Sequence, residues 1–162
     1  MGDLEQIGNL GGLLGLFDAA GERAVERAIA EYRAGRPVAL LSDSTALIIV
    51  SAEALDTRIL EGLDTLAPGK ARLILPAARL HRLGLERHLP GVVPFPVPDL
   101  ARIENLGFRV DARIDAPVGA AQPLDEAALE LARLALVTPA VYALPTEGTI
   151  LTGGIVTVDL RD

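Results

Sequence analysis

The sequence has no cysteine and no tryptophan, and aromatic residues make up only 3% of it. Without cysteine, disulfides, thiolate-bound metals and a cysteine nucleophile are excluded. Half of the residues are nevertheless hydrophobic. The core must therefore be built almost entirely from Leu, Val, Ile and Ala.

Lysine is also scarce: Lys70 is the only one, beside fourteen arginines, and the net charge is −7. This acidity argues against a general surface for nucleic acids or anionic membranes. No apolar run approaches the ~20 residues that a membrane-spanning helix needs. Residues 1–6 are acidic, where a signal peptide would be basic. We therefore expect a cytoplasmic protein with neither a membrane nor a nucleic-acid partner.

The length of 162 residues fits one domain. Residues 1–20 mix five glycines with leucines, and glycines this dense disfavour a stable helix. We expect this segment to be a Gly-rich apolar arm, either packed on the domain or making an oligomer contact. Residues 21–162 are predicted to form a single domain.

The spacing of apolar residues predicts alternating helices and strands. Helices are predicted over residues 22–33, 56–66, 77–83 and 126–136, the last capped by Asp125. Strands are predicted over residues 37–41, 46–51, 71–75, 108–115, 141–144 and 155–160. Four prolines in residues 89–99 predict an extended segment at a sheet edge. Together these elements indicate a mixed α/β (α+β) domain.

Two groups of charged residues have structural rather than catalytic explanations. Arg102, Arg109 and Arg113 could form an anion site, but Asp111 and Asp115 are interleaved with them. This favours a strand over residues 108–115 with one buried face and one salt-bridged, solvated face. His81 and His88 are seven residues apart and lack an acidic pair. Surface histidines are therefore favoured over a metal site.

Three blocks of the sequence resemble 3,4-dihydroxy-2-butanone 4-phosphate synthase, a riboflavin-pathway enzyme. They are residues 28–53, residues 71–85 and residues 126–135 followed by Pro139. The first contains Leu47-Ile48-Ile49-Val50-Ser51-Ala52-Glu53, similar to the family's Leu-Ile-Ile-Ala-Ala-Glu. The resemblance implies the YrdC/RibB-like fold, a mixed sheet with flanking helices.

The resemblance also implies where a magnesium-dependent active site would lie, and there the sequence departs from the family. The family's long acidic loop is reduced here to residues 42–46, with Asp43 as its one acid. Leu124 stands where the resemblance places a metal-binding histidine, and Ala143 where it places a glutamate. Residues 117–120 lack the expected hydroxyls. The interpretation is a degenerate site with Asp43 as a remnant, no catalytic residue, and no metal or other cofactor.

Such degenerate domains occur at the N-terminus of some bacterial GTP cyclohydrolase II proteins. The resemblance therefore implies a structural or dimerisation role, a homodimer, and a GTP cyclohydrolase II domain as partner in cis or in trans. A first alternative is an active or repurposed magnesium-dependent lyase that acts on ribulose 5-phosphate. In that case Arg36, Ser44 and Thr45 would bind the substrate, together with Asp43.

A second alternative comes from Pro145-Thr146-Glu147, which resembles the Pro-Thr-Glu-Thr motif of the YrdC-like threonylcarbamoyl-adenylate family. That motif would imply a nucleotide- or RNA-related binding domain. In the family the motif lies near the start of the domain, whereas here it is near the end. Supporting lysines and serines are also missing, so a chance match is favoured. A plain binding module that uses the apolar arm is a third alternative.

Overall fold

The structure, a computed structural model, describes residues 19–147 and 154–160. The predicted apolar arm lies outside the described residues, apart from Ala19 and Ala20, which begin the first helix. The helices are α1 (Ala19–Arg33), α2 (Thr57–Leu66), α3 (Ala77–Arg82), α4 (Leu100–Phe108) and α5 (Pro123–Leu134). The strands are β1 (Val38–Ser42), β2 (Thr45–Ser51), β3 (Ala71–Leu75), β4 (Gly91–Phe95), β5 (Gly119–Ala120), β6 (Val141–Glu147) and β7 (Val156–Asp159).

The seven strands that the described ranges contain form one sheet in the order β5-β4-β3-β6-β2-β1-β7. β7 pairs with β1 in parallel, while the other pairs are antiparallel. This confirms the predicted mixed sheet with flanking helices.

Alternate residues of the central strands point to opposite faces of the sheet, as the period of two requires. Leu47 and Ile49 of β2 pack with helices α1 and α5 on one face. Ile48 and Val50 of β2 pack with α2, α3 and α4 on the other. We refer to the first as the α5 face. Both cores are mainly aliphatic, as the composition requires.

The predicted strand over residues 108–115 is wrong. Helix α4, which the apolar spacing did not reveal, ends at Phe108. The Asp99 carboxylate caps the start of this helix by accepting from the Arg102 amide at 3.1 Å. Ala112 and Ile114 are half-buried against the core, but they lie in an extended segment without a partner strand in the described residues. The alternation in this segment therefore reflects packing of every second side chain on the core, and not pairing in the sheet.

The predicted salt-bridged surface is confirmed for one pair in this region. The Arg102 guanidinium makes two bonds to the Asp115 carboxylate, of 2.8 and 2.9 Å. Hydrogen bonding to Arg102 lowers the pKa of Asp115 below its usual range. Arg102 also lies 4.4 Å from the centre of the Phe95 ring. Arg102 therefore joins α4 to the segment that follows it and to β4.

The start of α5 also differs from the prediction. The N-cap is Gln122 rather than Asp125, and Pro123 is the first helical residue. Proline suits this position because the first helical N–H has no partner within the helix. Asp125, now at the third helical position, accepts from the Gln122 amide at 2.8 Å. Leu134, the last residue of the helix, is 42% exposed.

The proline-rich segment is extended and lies at the edge of the sheet, as predicted. β4 pairs with β3 along its whole length, whereas β5 covers only Gly91 and Val92. Pro94 lies beyond the residues that β5 covers. Because proline has no N–H to donate, this uncovered edge is where a strand tolerates it.

Candidate functional site

A cleft of about 570 Å³ opens on the α5 face, between the first turn of α5 and the ends of four strands. We call it the α5 cleft. It brings together Ser42, Thr45 and Ala46 of the predicted site loop with Leu124, which stands where the resemblance places a histidine. Its lining residues are Ser42, Thr45, Ala46, Leu47, Lys70, Arg72, Gln122, Pro123, Leu124, Pro145, Thr146 and Glu147.

Strand register explains which polar side chains reach the cleft. Ser42 is opposite Thr45, and Thr45 is opposite Glu147, so these three form one row across β1, β2 and β6. Arg72 of β3 is opposite Ala143 of β6. Ala143 packs on the α5 face, and directly opposed residues share a face. The side chain of Arg72 therefore points toward α5.

One lining residue of the cleft, Arg72, forms an ion pair with the buried Asp125. Arg72 donates to one carboxylate oxygen of Asp125 from Nε at 2.9 Å and from Nη2 at 2.7 Å. The other carboxylate oxygen accepts from the Gln122 amide. Asp125 is fully buried, whereas the Arg72 side chain is 24% exposed. A buried carboxylate is stable only with such partners, so this pair attaches the first turn of α5 to β3.

Two other charged residues line the cleft, Lys70 directly before β3 and Glu147 at the end of β6. Among the described residues, neither takes part in an ion pair. Both are exposed. The cleft therefore offers one ammonium group and one carboxylate that are available to a ligand.

The predicted site loop is a tight hairpin turn. Ser42 pairs with Thr45, so only Asp43 and Ser44 lie outside the strands. Asp43 has a φ of 52°, a left-handed conformation that aspartate adopts more readily than most residues. Thr45 lines the cleft and donates its hydroxyl to the Ser42 carbonyl at 2.8 Å. Asp43 and Ser44 do not line it.

Arg36, the fourth residue proposed from the sequence, lies at the other end of β1. Its Nη2 donates to the Glu31 carboxylate at 3.0 Å, and this pairing lowers the pKa of Glu31. The five residues of β1, at about 3.3 Å each, separate Arg36 from the hairpin turn. The structure therefore does not bring Arg36 together with Asp43, Ser44 and Thr45.

The residues of the α5 cleft do not fit a magnesium ion, which prefers several oxygen ligands. Asp125 is already bound by Arg72, which leaves Glu147 as the one available carboxylate in the lining. Across residues 19–147 and 154–160, no group of three His, Asp or Glu side chains could hold a metal. His81 and His88 are both exposed, as predicted, and neither lines the cleft.

The fold can be compared with known proteins. A 3,4-dihydroxy-2-butanone 4-phosphate synthase of Candida albicans superposes with a TM-score of 0.64 at 17% identity, covering 85% of this chain and 93% of that one. Another synthase, in complex with two magnesium ions, gives 0.60 at 20% identity over 80% and 76% of the two chains. The chain has the fold of 3,4-dihydroxy-2-butanone 4-phosphate synthase. The resemblance found in the sequence is thus confirmed for the fold.

The sequence itself is similar to a GTP cyclohydrolase-2 of Xylella fastidiosa (strain 9a5c), 32% identical over 123 residues. The match takes in 74% of this chain but only 30% of that protein. The chain therefore spans about a third of the curated relative that it matches. No protein-family model matches the sequence. No helix among the described residues is long and apolar enough to cross a membrane.

Sequence reasoning missed Lys70, Arg72 and Gln122 as lining residues of the α5 cleft, and it favoured a chance match for Pro145-Thr146-Glu147, which also lines the cleft. One signal could have pointed to Arg72. It is the one charged residue in an otherwise apolar strand, Ala71–Leu75, of a sheet covered on both faces. A charge in such a strand needs a partner. The sequence could not say that the partner would be Asp125, 53 residues away.

The left-handed turn conformation accounts for an aspartate at position 43 without a catalytic role. Two substitutions test this turn role. We expect Asp43→Asn to leave the free energy of unfolding nearly unchanged, because asparagine also adopts the left-handed region. Asp43→Ala should cost about 1 kcal/mol, because alanine does not. Urea denaturation of the purified variants measures both. Equal stability of the alanine and asparagine variants would contradict the turn role.

Proposed function

We propose that this chain is a catalytically inactive synthase-like domain of the riboflavin pathway. Its role would be structural, as a cytoplasmic homodimer that supports a GTP cyclohydrolase II domain in cis or in trans. The observation that carries this proposal is the ion pair between Arg72, which lines the α5 cleft, and the buried Asp125. Asp125 directly follows Leu124, the position where the resemblance expects a metal-binding histidine, and its carboxylate is bound by Arg72.

Three further features support the loss of synthase chemistry. The acidic loop of the family is replaced by a two-residue turn, and Leu124 lines the cleft where a histidine is expected. The lining provides one available carboxylate, Glu147. One carboxylate cannot both bind a divalent cation and transfer the protons that the lyase reaction needs.

A direct assay tests inactivity. The purified chain is incubated with ribulose 5-phosphate and magnesium chloride, and formate is quantified, with an active synthase measured in parallel. We expect no formate above the enzyme-free rate. Formate production by this chain that is lost in the Glu147→Gln variant would overturn the proposal and favour the lyase alternative.

The structural role is tested by mass and by the activity of the partner. Light scattering should give twice the 17.0 kDa mass of the chain. Co-expression with the cyclohydrolase from the same genome should raise the thermal stability or GTP turnover of that enzyme. A monomer that leaves both unchanged would refute the supporting role, even if the chain proved inactive as a synthase.

A further inference from the structure

We infer that the exposed surface where the end of α3 meets the segment after α4 binds an acidic segment of a partner protein. Its three arginines are Arg82, Arg109 and Arg113, and we call it the arginine surface. It lies on the side of the sheet that α2, α3 and α4 cover, away from the α5 cleft. This inference goes beyond the proposed function, because it requires neither the loss of synthase chemistry nor a homodimer.

Hydrogen bonds bring these arginines together although they are distant in the sequence. Arg113 Nη1 donates to the Arg82 carbonyl at 3.2 Å, across a separation of 31 residues. The Ile114 amide donates to the Leu83 carbonyl at 2.9 Å. The segment after α4 therefore runs past the end of α3, and its exposed side chains share a surface with Arg82.

Arg79 lies beside this surface and holds the segment after α4 in place. Its guanidinium donates to the carbonyls of Asn105, Leu106 and Arg109, at 2.7 to 2.9 Å. Burial, and after it the nearby charge of Arg82, lowers the pKa of Arg79 from its usual value. Carbonyl groups carry no net charge, so they do not neutralise the guanidinium. Arg79 therefore adds a fourth positive charge to this part of the molecule.

The three arginines of the surface have no acidic partner of their own. All three are exposed, and none of them forms an ion pair within residues 19–147 and 154–160. Arg102, on the neighbouring helix, is bound to Asp115 and is not part of the surface. A guanidinium has donors only, in a planar fork that matches the two oxygens of a carboxylate. The unpaired arginines therefore select for carboxylate side chains.

The acids that are close in sequence to these arginines do not neutralise the surface. Asp111 and Glu86 are exposed, and neither forms an ion pair in the part of the chain that the structure describes. Glu104 lies on another side of α4, because Gly107, three residues later, faces Ala140. Four arginines are therefore opposed by two acids. The surface is positive on a chain whose net charge is −7.

The exposed apolar side chains at this surface favour a peptide over a nucleic acid. Val110, directly after Arg109, is 82% exposed, and Phe108 is 39% exposed. A peptide can pack an apolar side chain on Val110 while its carboxylates meet the arginines. The acidity of the whole chain repels an extended polyanion more than a short acidic segment. A second copy that used the same surface would place arginines against arginines, so the occupant is a different protein.

Fluorescence anisotropy of a labelled peptide of alternating glutamate and leucine tests the inference with the full-length chain. We expect binding that weakens as salt is added, because the contacts are exposed and ionic. Combining Arg82→Gln with Arg109→Gln should weaken binding about three- to tenfold, since each exposed pair contributes little. Neither side chain makes a hydrogen bond among the described residues, where only their carbonyls accept. Thermal denaturation should therefore show that this double variant is as stable as the parent.

Two single variants distinguish a docking surface from general electrostatics. Arg23→Gln removes an exposed positive charge from α1, on the α5 face, and should leave peptide binding unchanged. Val110→Ser keeps every charge and should weaken binding, because it removes the apolar contact. Weakening by Arg23→Gln equal to that of the double variant, or no effect of Val110→Ser, would overturn the inference. Tighter binding of oligothymidylate than of the peptide, or no binding of the peptide at all, would do so as well.

Discussion

Arg72→Leu should lower the free energy of unfolding by about 3 kcal/mol or more, the cost of leaving a buried charge without its partner. Arg72 supplies two of the three donors to the fully buried Asp125 carboxylate. Leucine keeps much of the aliphatic volume but offers no donor. Urea denaturation monitored by circular dichroism measures the loss.

Two comparisons attribute this loss to the buried charge. Arg133→Leu breaks an exposed ion pair with Glu130 in α5, the helix that contains Asp125. It should have a much smaller effect on stability. Adding Asp125→Asn to Arg72→Leu removes the uncompensated charge, so the double variant should cost less than the sum of the singles. Additive costs, or equal costs for Arg72→Leu and Arg133→Leu, would show that the pair is not a buried attachment of α5 to β3.

Gly91→Ala should destabilise the protein by about 2 kcal/mol, because the added methyl group has no space. A Cβ at Gly91 would lie 2.4 Å from Val118 Cγ1 and 2.9 Å from the Gly119 carbonyl oxygen. The valine side chain could rotate, but the carbonyl belongs to the backbone of β5. Relief therefore requires β5 to move away from β4. Thermal denaturation would measure the loss of stability. Hydrogen exchange of the Gly119 and Ala120 amides would detect the movement of β5 away from β4.

Gly62→Ala is the matched control, since nothing apart from its chain neighbours and the backbone of its own helix lies within 4 Å of the Cβ it would add. Gly62 is inside helix α2, where alanine is favoured over glycine by about 1 kcal/mol. The two substitutions are chemically identical, yet they should change stability in opposite directions. A Gly91→Ala variant as stable as the parent would mean that β5 can move away from β4 without cost. This would contradict the close packing of Gly91 against Val118 and Gly119.

Much of the fold could be predicted from the sequence, because the periodicity of apolar residues and the glycines and prolines that end helices and strands suffice for most elements. Gly35 and Pro37 mark the end of α1, and the apolar runs on either side of Asp43 mark β1 and β2. The failures occurred where local patterns are ambiguous. Residues 108–115 alternate like a strand, but a strand also needs a neighbouring chain, which a pattern within one segment cannot supply.

The resemblance placed a site at residues 42–46 and Leu124, among other positions. Of these, Ser42, Thr45, Ala46 and Leu124 line the α5 cleft. Its chemistry was not foreseen. Asp43 occupies a turn outside the cleft, whereas Lys70, Arg72 and Glu147 line it. Their position depends on the register of β3, β6 and β2, which is fixed by pairing between distant segments.

The sequence by itself determined the aliphatic core, the absence of thiol chemistry, the mixed α/β class and the shortening of the acidic loop. These are properties of composition and of short segments, where each residue acts through its neighbours in the chain. Only the tertiary structure decided that Arg72 binds Asp125 and that Arg36 lies far from Asp43. Electrostatic contacts depend on distance in space, and that distance is set by sheet register and helix packing.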